Sequence, residues 1–517
     1  MKKLFVFLVG MMLFLQHGNG QFKRHYWLNP RSVNHTLSYP TSNGEWMLAA
    51  ARQHPNSTLK NTIAVFRLDN AYNIRDSRVI GRYFSGEDFD RSVNFEIHCI
   101  VESFNPTGYY IICGSMSGGA TAATIGVVFV LDAGLNPQHM REYPDVRNFY
   151  SAYAQDGYFF VCGQTQSGQG IVLRDDVASP QPSAQVWITQ DSWDFQKIRV
   201  RNNPGSGQIK ISGTGFFQGD DGDEFQTMGY SVFDVGGGSF TPAPNNPPPP
   251  PHPPLPPNSF ASWQFPPIVH GIGSKVVIAN HPGGAGGEGV ILSVSDNYNI
   301  YTYLFFQHPA LNAAFRVPCS NGKLEDMECA GPGGGVQTSQ IAWVGNKLGT
   351  DENPQQTAYY LHMNIPMSFT PPPPYPYPPF PPTPTTFTYF HPFPAADNAY
   401  YSLHKVQFHR NQGDLQFHCG GYYQHYNGNK ATFAVTPDLI GVDGEDTPCI
   451  TREGVRTVAL DLPDLYPLLF LDIREIGVRV HETSSKKYRF CNIECEGELQ
   501  EGNDCGNKLD IIIIDSK

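Results

Sequence analysis

The stretch GYYIICGSMSGG, from Gly108 to Gly119, returns 49 residues later as GYFFVCGQTQSG, from Gly157 to Gly168. A chain that repeats itself at such an interval is constrained to fold as repeating units, each meeting its neighbours in the same way. The unit has a grammar: a turn glycine, four or five apolar residues, a small residue with Gly, a variable loop, then a second apolar strand often ending in Asp. GYYIICG is followed by GVVFVLDAGLN (Gly126 to Asn136), and GYFFVCG by GIVLRDD (Gly170 to Asp176). The same order recurs in GQIKISGTG (Gly207 to Gly215) with GYSVFDVGG, and in GSKVVIANHPGG (Gly273 to Gly284) with GVILSVSDNYN. Upstream it appears in GEWMLAAA (Gly44 to Ala51) with TIAVFRLDNAYN, and downstream in GDLQFHCGG (Gly413 to Gly421) with ATFAVTPDLIG. SQIAWVG (Ser339 to Gly345) with TAYYLHMN is a weaker seventh unit.

Turn glycines over the first five units are 64, 49, 50 and 66 residues apart, room for four short strands per unit. That period predicts an all-β fold, a β-propeller of seven blades, rather than a sandwich. YYIIC, YFFVC and KVVIA are continuous apolar runs, as expected of strands covered on both faces by neighbouring blades. GYYIICG and GYFFVCG are read as equivalent inner strands, with segments such as NFEIHCIVE (Asn94 to Glu102) pairing beside them. Aromatics at 13%, charged residues at only 16%, 51 glycines and 44 prolines agree with many strands and turns. The tracts 242–257 (PAPNNPPPPPHPPLPP) and 371–384 (PPPPYPYPPFPPTP) hold 11 and 10 of those prolines. Proline cannot donate to a ladder, so both are expected to be loop insertions or blade connections.

Lys2 and Lys3, the apolar run Leu4 to Leu15 and the small pattern before Gln21 read as a signal peptide over 1–20. The propeller is expected over 21–445. A Cys-containing, β-rich extension over 446–517 would either help to close the ring or form a small disulfide-stapled appendix. The expected destination is secreted or periplasmic, with cell-surface association possible and no transmembrane segment after cleavage. The formal charge of −12 argues against nucleic acid as a partner, since phosphate binding depends on Lys and Arg.

The GYYIICGS and VVFVLDAGLN pattern resembles the β-propeller repeats of secreted Bacteroidetes proteins, kelch-like in shape. There a Gly-aromatic-apolar-Cys/Ala-Gly strand precedes an apolar-Asp-x-x-Gly strand. The resemblance covers roughly two thirds of the chain, carries structural rather than catalytic motifs, and implies a propeller.

Candidate sites are sparse. Asp220, Asp221, Asp223 and Glu224 form the densest acidic cluster, a candidate for Ca²⁺ on a turn, although the spacing is not that of an EF-hand. Between His404 and Tyr426, Tyr422, Tyr423 and Tyr426 are candidates to stack on sugar rings, while strand alternation would scatter His404, His409, His418 and His425 over both faces. Cys319, Cys329, Cys449, Cys491, Cys495 and Cys505 are the disulfide candidates. Cys113, Cys162 and Cys419 share one slot before a glycine and read as small buried residues. Cys99 and Cys113 could pair across a hairpin centred near Asn105 or stay as buried thiols. Esterase-elbow, zincin, phosphate-loop and sialidase motifs do not occur. The expectation is an exported binding or interaction module that recognises an envelope or extracellular protein or a glycan through its loops. The alternative is a propeller-fold hydrolase or lyase acting on extracellular polysaccharide.

Overall fold

The computed structural model describes the strands and short connections between residues 24 and 491. Residues 1–23, 492–517 and the longer loops, including 202–206, 219–223, 243–258, 264–276, 282–288, 331–337, 367–383, 392–397, 425–429 and 436–449, lie outside that description.

After β1 (Arg24–Tyr26), β2 (Val33–Pro40), β3 (Trp46–Arg52), β4 (Thr62–Leu68) and β5 (Ile74–Arg82) form an antiparallel meander. β6 (Val93–Phe104), β7 (Thr107–Gly118), β8 (Ile125–Leu131) and β9 (Pro137–Tyr143) repeat it. β10 (Val146–Gln155), β11 (Tyr158–Thr165) and β12 (Gln169–Asp176) lead into the 17-residue β13 (Gln185–Arg201). From there the same sheet runs on through β14 (Gly207–Gln218), β15 (Glu224–Gly236), β16 (Ser239–Pro242) and β17 (Ser259–Trp263). Next come β18 (Val277–His281), β19 (Gly289–Ser295), β20 (Asn299–Phe306) and β21 (Ala313–Pro318), then β22 (Gly322–Ala330), β23 (Thr338–Lys347), β24 (Thr357–Pro366) and β25 (Pro384–Phe390). β26 (Tyr400–Asn411), β27 (Asp414–Gln424) and β28 (Lys430–Val435) make the last sheet, to which β1 adds the fourth strand.

The first strands of successive sheets pack on one another, β2 on β6, β6 on β10, β10 on β13, β13 on β18, β18 on β22 and β22 on β26. β26 in turn packs on β2, which closes a ring. The fold is an all-β propeller. The repeat predicted seven separate blades, and the strand pairing corrects this. Among the described residues five sheets are blade-sized, one four-stranded and four five-stranded, and a sixth is nine-stranded. In that sheet, residues at the start of β13 pair with β12 while those from Trp193 onward pair with β14. QVWITQDSWDFQKIRVR contains neither Gly nor Pro, so nothing in it breaks the strand between one unit and the next.

A second correction concerns GYYIICG and GYFFVCG. They lie on β7 and β11, the second strands, and the inner strands are β6 and β10. Their covering on both faces is as expected, since 110–116 on β7 and 159–163 on β11 are buried without a break. The proline tracts fall between β16 and β17 and between β24 and β25, connections inside one sheet rather than between sheets.

The repeated glycines have two separate causes. Gly108 and Gly157 sit at the hairpin turns with φ of 84° and 85°, a region that side-chain-bearing residues rarely adopt. Gly114 and Gly163 answer a bulge. The inner strands skip one residue in the pairing at His35, His98, Tyr150, Gln196, Glu325 and His404; at the last five a glycine opposes the residue just before the skip, and at the first Ala51 does. The bulge brings backbone so close that a Cβ on Gly114 would lie 1.9 Å from the Glu96 carbonyl oxygen, and one on Gly421 1.8 Å from that of Ser402.

Beyond residue 449 the chain does not form a sheet of its own among the described residues. β29 (Ile450–Arg456) pairs with β25, β30 (Val458–Leu460) with β21, and β31 (Pro467–Glu475) with β13 and β17. β32 (His481–Glu482) then joins β9, and β33 (Tyr488–Cys491) joins β5. The tail thus passes round the sheets in reverse order and covers an outer edge on each of them, except the sheet that β1 already covers. Open sheet edges template association with other chains, and covered ones do not.

Two outcomes follow. Gly114→Ala should cost about 3 kcal/mol, because the bulge cannot open without parting β6 from β7, whereas Gly454→Ala, with nothing within 4 Å of the new Cβ, should stay within about 0.5 kcal/mol. Chemical denaturation of the two variants measures the difference. Deleting residues 446–517 should leave the strand content of the ring in circular dichroism, lower the melting temperature and make light scattering depend on protein concentration.

Candidate functional site

The bulges place side chains as well as backbone. A skipped residue is turned out of the ladder, so His98, Tyr150, Gln196, Glu325 and His404 occupy equivalent positions on the inner strands of their sheets. Neighbours among them meet across the ring. The rings of His98 and Tyr150 are 5.2 Å apart, and His404 Nδ1 lies 3.7 Å from Glu325 Oε2. Asn148 Nδ2 is 3.0 Å from His98 Nε2, and Ser402 Oγ is 3.0 Å from His404 Nε2.

The residue after each of these bulges turns inward and is buried: Cys99, Ser151, Lys197, Asp326 and Lys405. Three of these form an ion cluster. Lys197 donates to Asp326 Oδ1 and, at 2.6 Å, to the Met327 carbonyl, while Lys405 Nζ lies 3.4 Å from Asp326 Oδ2 and the Val406 amide donates to that same oxygen at 3.2 Å. One strand period further on, Arg199 donates to Glu328 at 2.6 Å. Burial alone would raise the Asp326 carboxyl, but Lys197, Lys405 and Arg199 outweigh it and hold the group well below the usual carboxylate range. Burial draws the Lys197 ammonium down to about 8, with Arg199 adding to the fall and Asp326 opposing it. Asp326 is therefore a fixed carboxylate that can balance or stabilise positive charge but cannot serve as a proton donor.

Glu325 differs from the other two acids. Its carboxylate is shared between Lys323 Nζ at 3.0 Å and His404. His404 stacks on Tyr422 at 5.3 Å, and Tyr422 meets Tyr400 edge to face at 6.1 Å. Tyr400, His404 and Tyr422 are all partly exposed, which leaves an aromatic ledge beside a carboxylate and the side chains of Gln424 and Gln356.

Of the candidates read from sequence, Tyr422 belongs to this ledge. Tyr423 points the other way, buried against Tyr401 at 4.9 Å, and Tyr426 lies outside the described residues. Asp220, Asp221 and Asp223 are also outside them, and Glu224 opens β15. Among the described residues no group of three or more metal-ligating side chains converges. Cys319 and Cys329 are buried free thiols in one core cluster; Cys491 ends β33, and Cys449, Cys495 and Cys505 lie outside the described residues. Cys113, Cys162 and Cys419 are all buried, as predicted, but only the first two share a slot: each faces the residue after the skip, where the last sheet has Gly420, and Cys419 lies one residue before it. The charged residues of the axis went unnoticed, although QKIRVR and LEDMEC each carry like charges two apart, the mark of one strand face.

His418 marks the seam where the ring closes. It is fully buried on the last sheet and stacks on Trp46 of the first, with ring centroids 3.7 Å apart. Burial pushes its pKa down to about 3. Below about 6.5 the unfolded chain takes a proton that the folded one refuses, so stability is complete above that pH and is lost towards 3. The slope should be about 1.4 kcal/mol per pH unit for this residue. His418→Phe, which keeps the stack, should flatten that acid limb in denaturation measured from pH 7 to 4.

No protein-family model matches the chain, and no curated protein matches it. Among solved structures it is similar to the Penicillium chrysogenum alpha-L-arabinanase complexed with arabinobiose, at 10% identity and a TM-score of 0.36, over 80% of this chain and 98% of that one. It is similar to an alpha-L-arabinofuranosidase mutant from Fusarium graminearum in complex with an iminosugar inhibitor, at 10% identity and a TM-score of 0.34, over 67% and 98% of the two chains. The alpha-L-arabinofuranosidase of Fusarium graminearum with arabinobiose follows at 12% identity and a TM-score of 0.30, over 67% and 94%. These are likenesses of fold alone, and by its own strand pairing the chain is an all-β propeller.

Proposed function

We propose that the protein acts on an extracellular polysaccharide at the axial ledge, as a propeller-fold hydrolase or lyase. The observation that carries this reading is the Glu325–His404 pair, brought to 3.7 Å from two neighbouring sheets beside the partly exposed ring of Tyr422. Cleaving a glycosidic bond needs one group to take a proton and another to give one, and carboxylates and imidazoles do this most often. An aromatic face beside them suits the apolar face of a sugar ring. Asp326, ionised behind them, supplies fixed negative charge. Export rests on the Leu4 to Leu15 run, and Ca²⁺ at Asp220, Asp221, Asp223 and Glu224 is the one cofactor the sequence suggests.

A second reading, a module that binds an extracellular glycan or protein without turnover, draws on the pairing of every axial acid: Glu325 with Lys323, Asp326 with Lys197 and Lys405, Glu328 with Arg199. Release of reducing ends, or of unsaturated uronates, from a panel of polysaccharides separates the two. Turnover by the wild type, cut on the order of 100-fold or more in Glu325→Gln at unchanged melting temperature and raised in KM by Tyr422→Ala, is the expected result. Binding on a glycan array without product would leave the second reading, and neither binding nor product would overturn both.

A further inference from the structure

Among the described residues, the β6–β7 hairpin is where cysteine faces cysteine. Cys99, just after the bulge, is the direct cross-strand partner of Cys113. In the equivalent positions Cys162 faces Ser151 and Gly420 faces Lys405. Direct partners on antiparallel strands have Cα atoms about 4.5 or 5.5 Å apart, and both values lie within the range that a disulfide spans. Both side chains are buried, and both thiols are free in the structure. Their contacts with backbone are weak, Cys99 Sγ to the Ala152 carbonyl at 3.8 Å and Cys113 Sγ to that of Phe149 at 3.9 Å. A disulfide would therefore cost the fold little hydrogen bonding.

We infer that Cys99 and Cys113 are joined by a disulfide in the protein as secreted, formed while the hairpin is still accessible and then enclosed by the ring. The Cys99 thiolate attacks a small-molecule disulfide such as oxidised glutathione, breaking its S–S bond and releasing one thiolate. The Cys113 thiolate then attacks Cys99 in the mixed disulfide and releases the second. Two protein thiols are oxidised, one external disulfide is reduced, and the two protons pass to the two thiols released. Once closed, the bond removes the titratable Cys99 sulfur from beside the axial cations.

The test is mass spectrometry of the full chain recovered from an oxidising secretory host, alkylated under denaturing conditions without reductant and digested. The peptides holding Cys99 and Cys113 should appear linked, separating only after reduction, with Cys162 and Cys419 alkylated. Cys99→Ser should add one alkylated thiol, at Cys113, while Cys162→Ser should leave the linked pair intact. If Cys99 and Cys113 are both alkylated without reductant, or if either is linked elsewhere, the inference is overturned; the digest reads this even where a variant folds poorly.

Discussion

Every described inner strand but β18 carries one residue more than its neighbour can pair with, and much of the molecule is arranged round that surplus. The extra residue kinks the strand and drives backbone against backbone, and the neighbour offers a small residue there, glycine at Gly114, Gly163, Gly345 and Gly421 and alanine at Ala51. It also breaks the alternation of side chains. The skipped residue points where an unbulged strand would not send it, and the next one is turned into the axis. The turned-out set includes His98, Glu325 and His404; the turned-in set includes Lys197, Asp326 and Lys405. One backbone irregularity thus yields both the candidate site and the charges beneath it.

Those charges are costly to bury and cannot be explained as a simple gain in stability, because desolvation consumes much of what ion pairing returns. What they add is uniqueness. Lys197 comes from β13, Asp326 from β22 and Lys405 from β26, three sheets that only the correct ring brings to a common point. A ring closed with a sheet missing or misplaced would leave a buried charge without its partner, a penalty of several kcal/mol. The cluster therefore discriminates among ways of closing the ring, while the apolar faces between sheets supply most of the attraction.

The all-β class and the strands of the repeat were legible because apolar runs and turn glycines are local signals. GYYIICG reads as a buried strand whatever surrounds it. Its place as second rather than first strand was not legible, since nothing in NFEIHCIVE distinguishes an inner strand from an outer one. The continuity of β13 went unseen because a strand without Gly or Pro looks the same whether it serves one sheet unit or two. Tyr422 was found from its composition, but Glu325 and His404, 79 positions apart in sequence, become a pair only through the bulges of two different sheets. Tail strands as short as His481–Glu482 carry no pattern, and they exist because another edge is there to receive them.

The backward course of the tail has a consequence for how the protein is made. Synthesis runs from β2 towards β28, yet β33 borders the first sheet, β32 the second, and β29 the one before last. The sheet built first is the last to receive its outer strand. Throughout synthesis the early sheets must then present bare edges for the longest time, and the chain would need an escort, or rapid completion, during that interval.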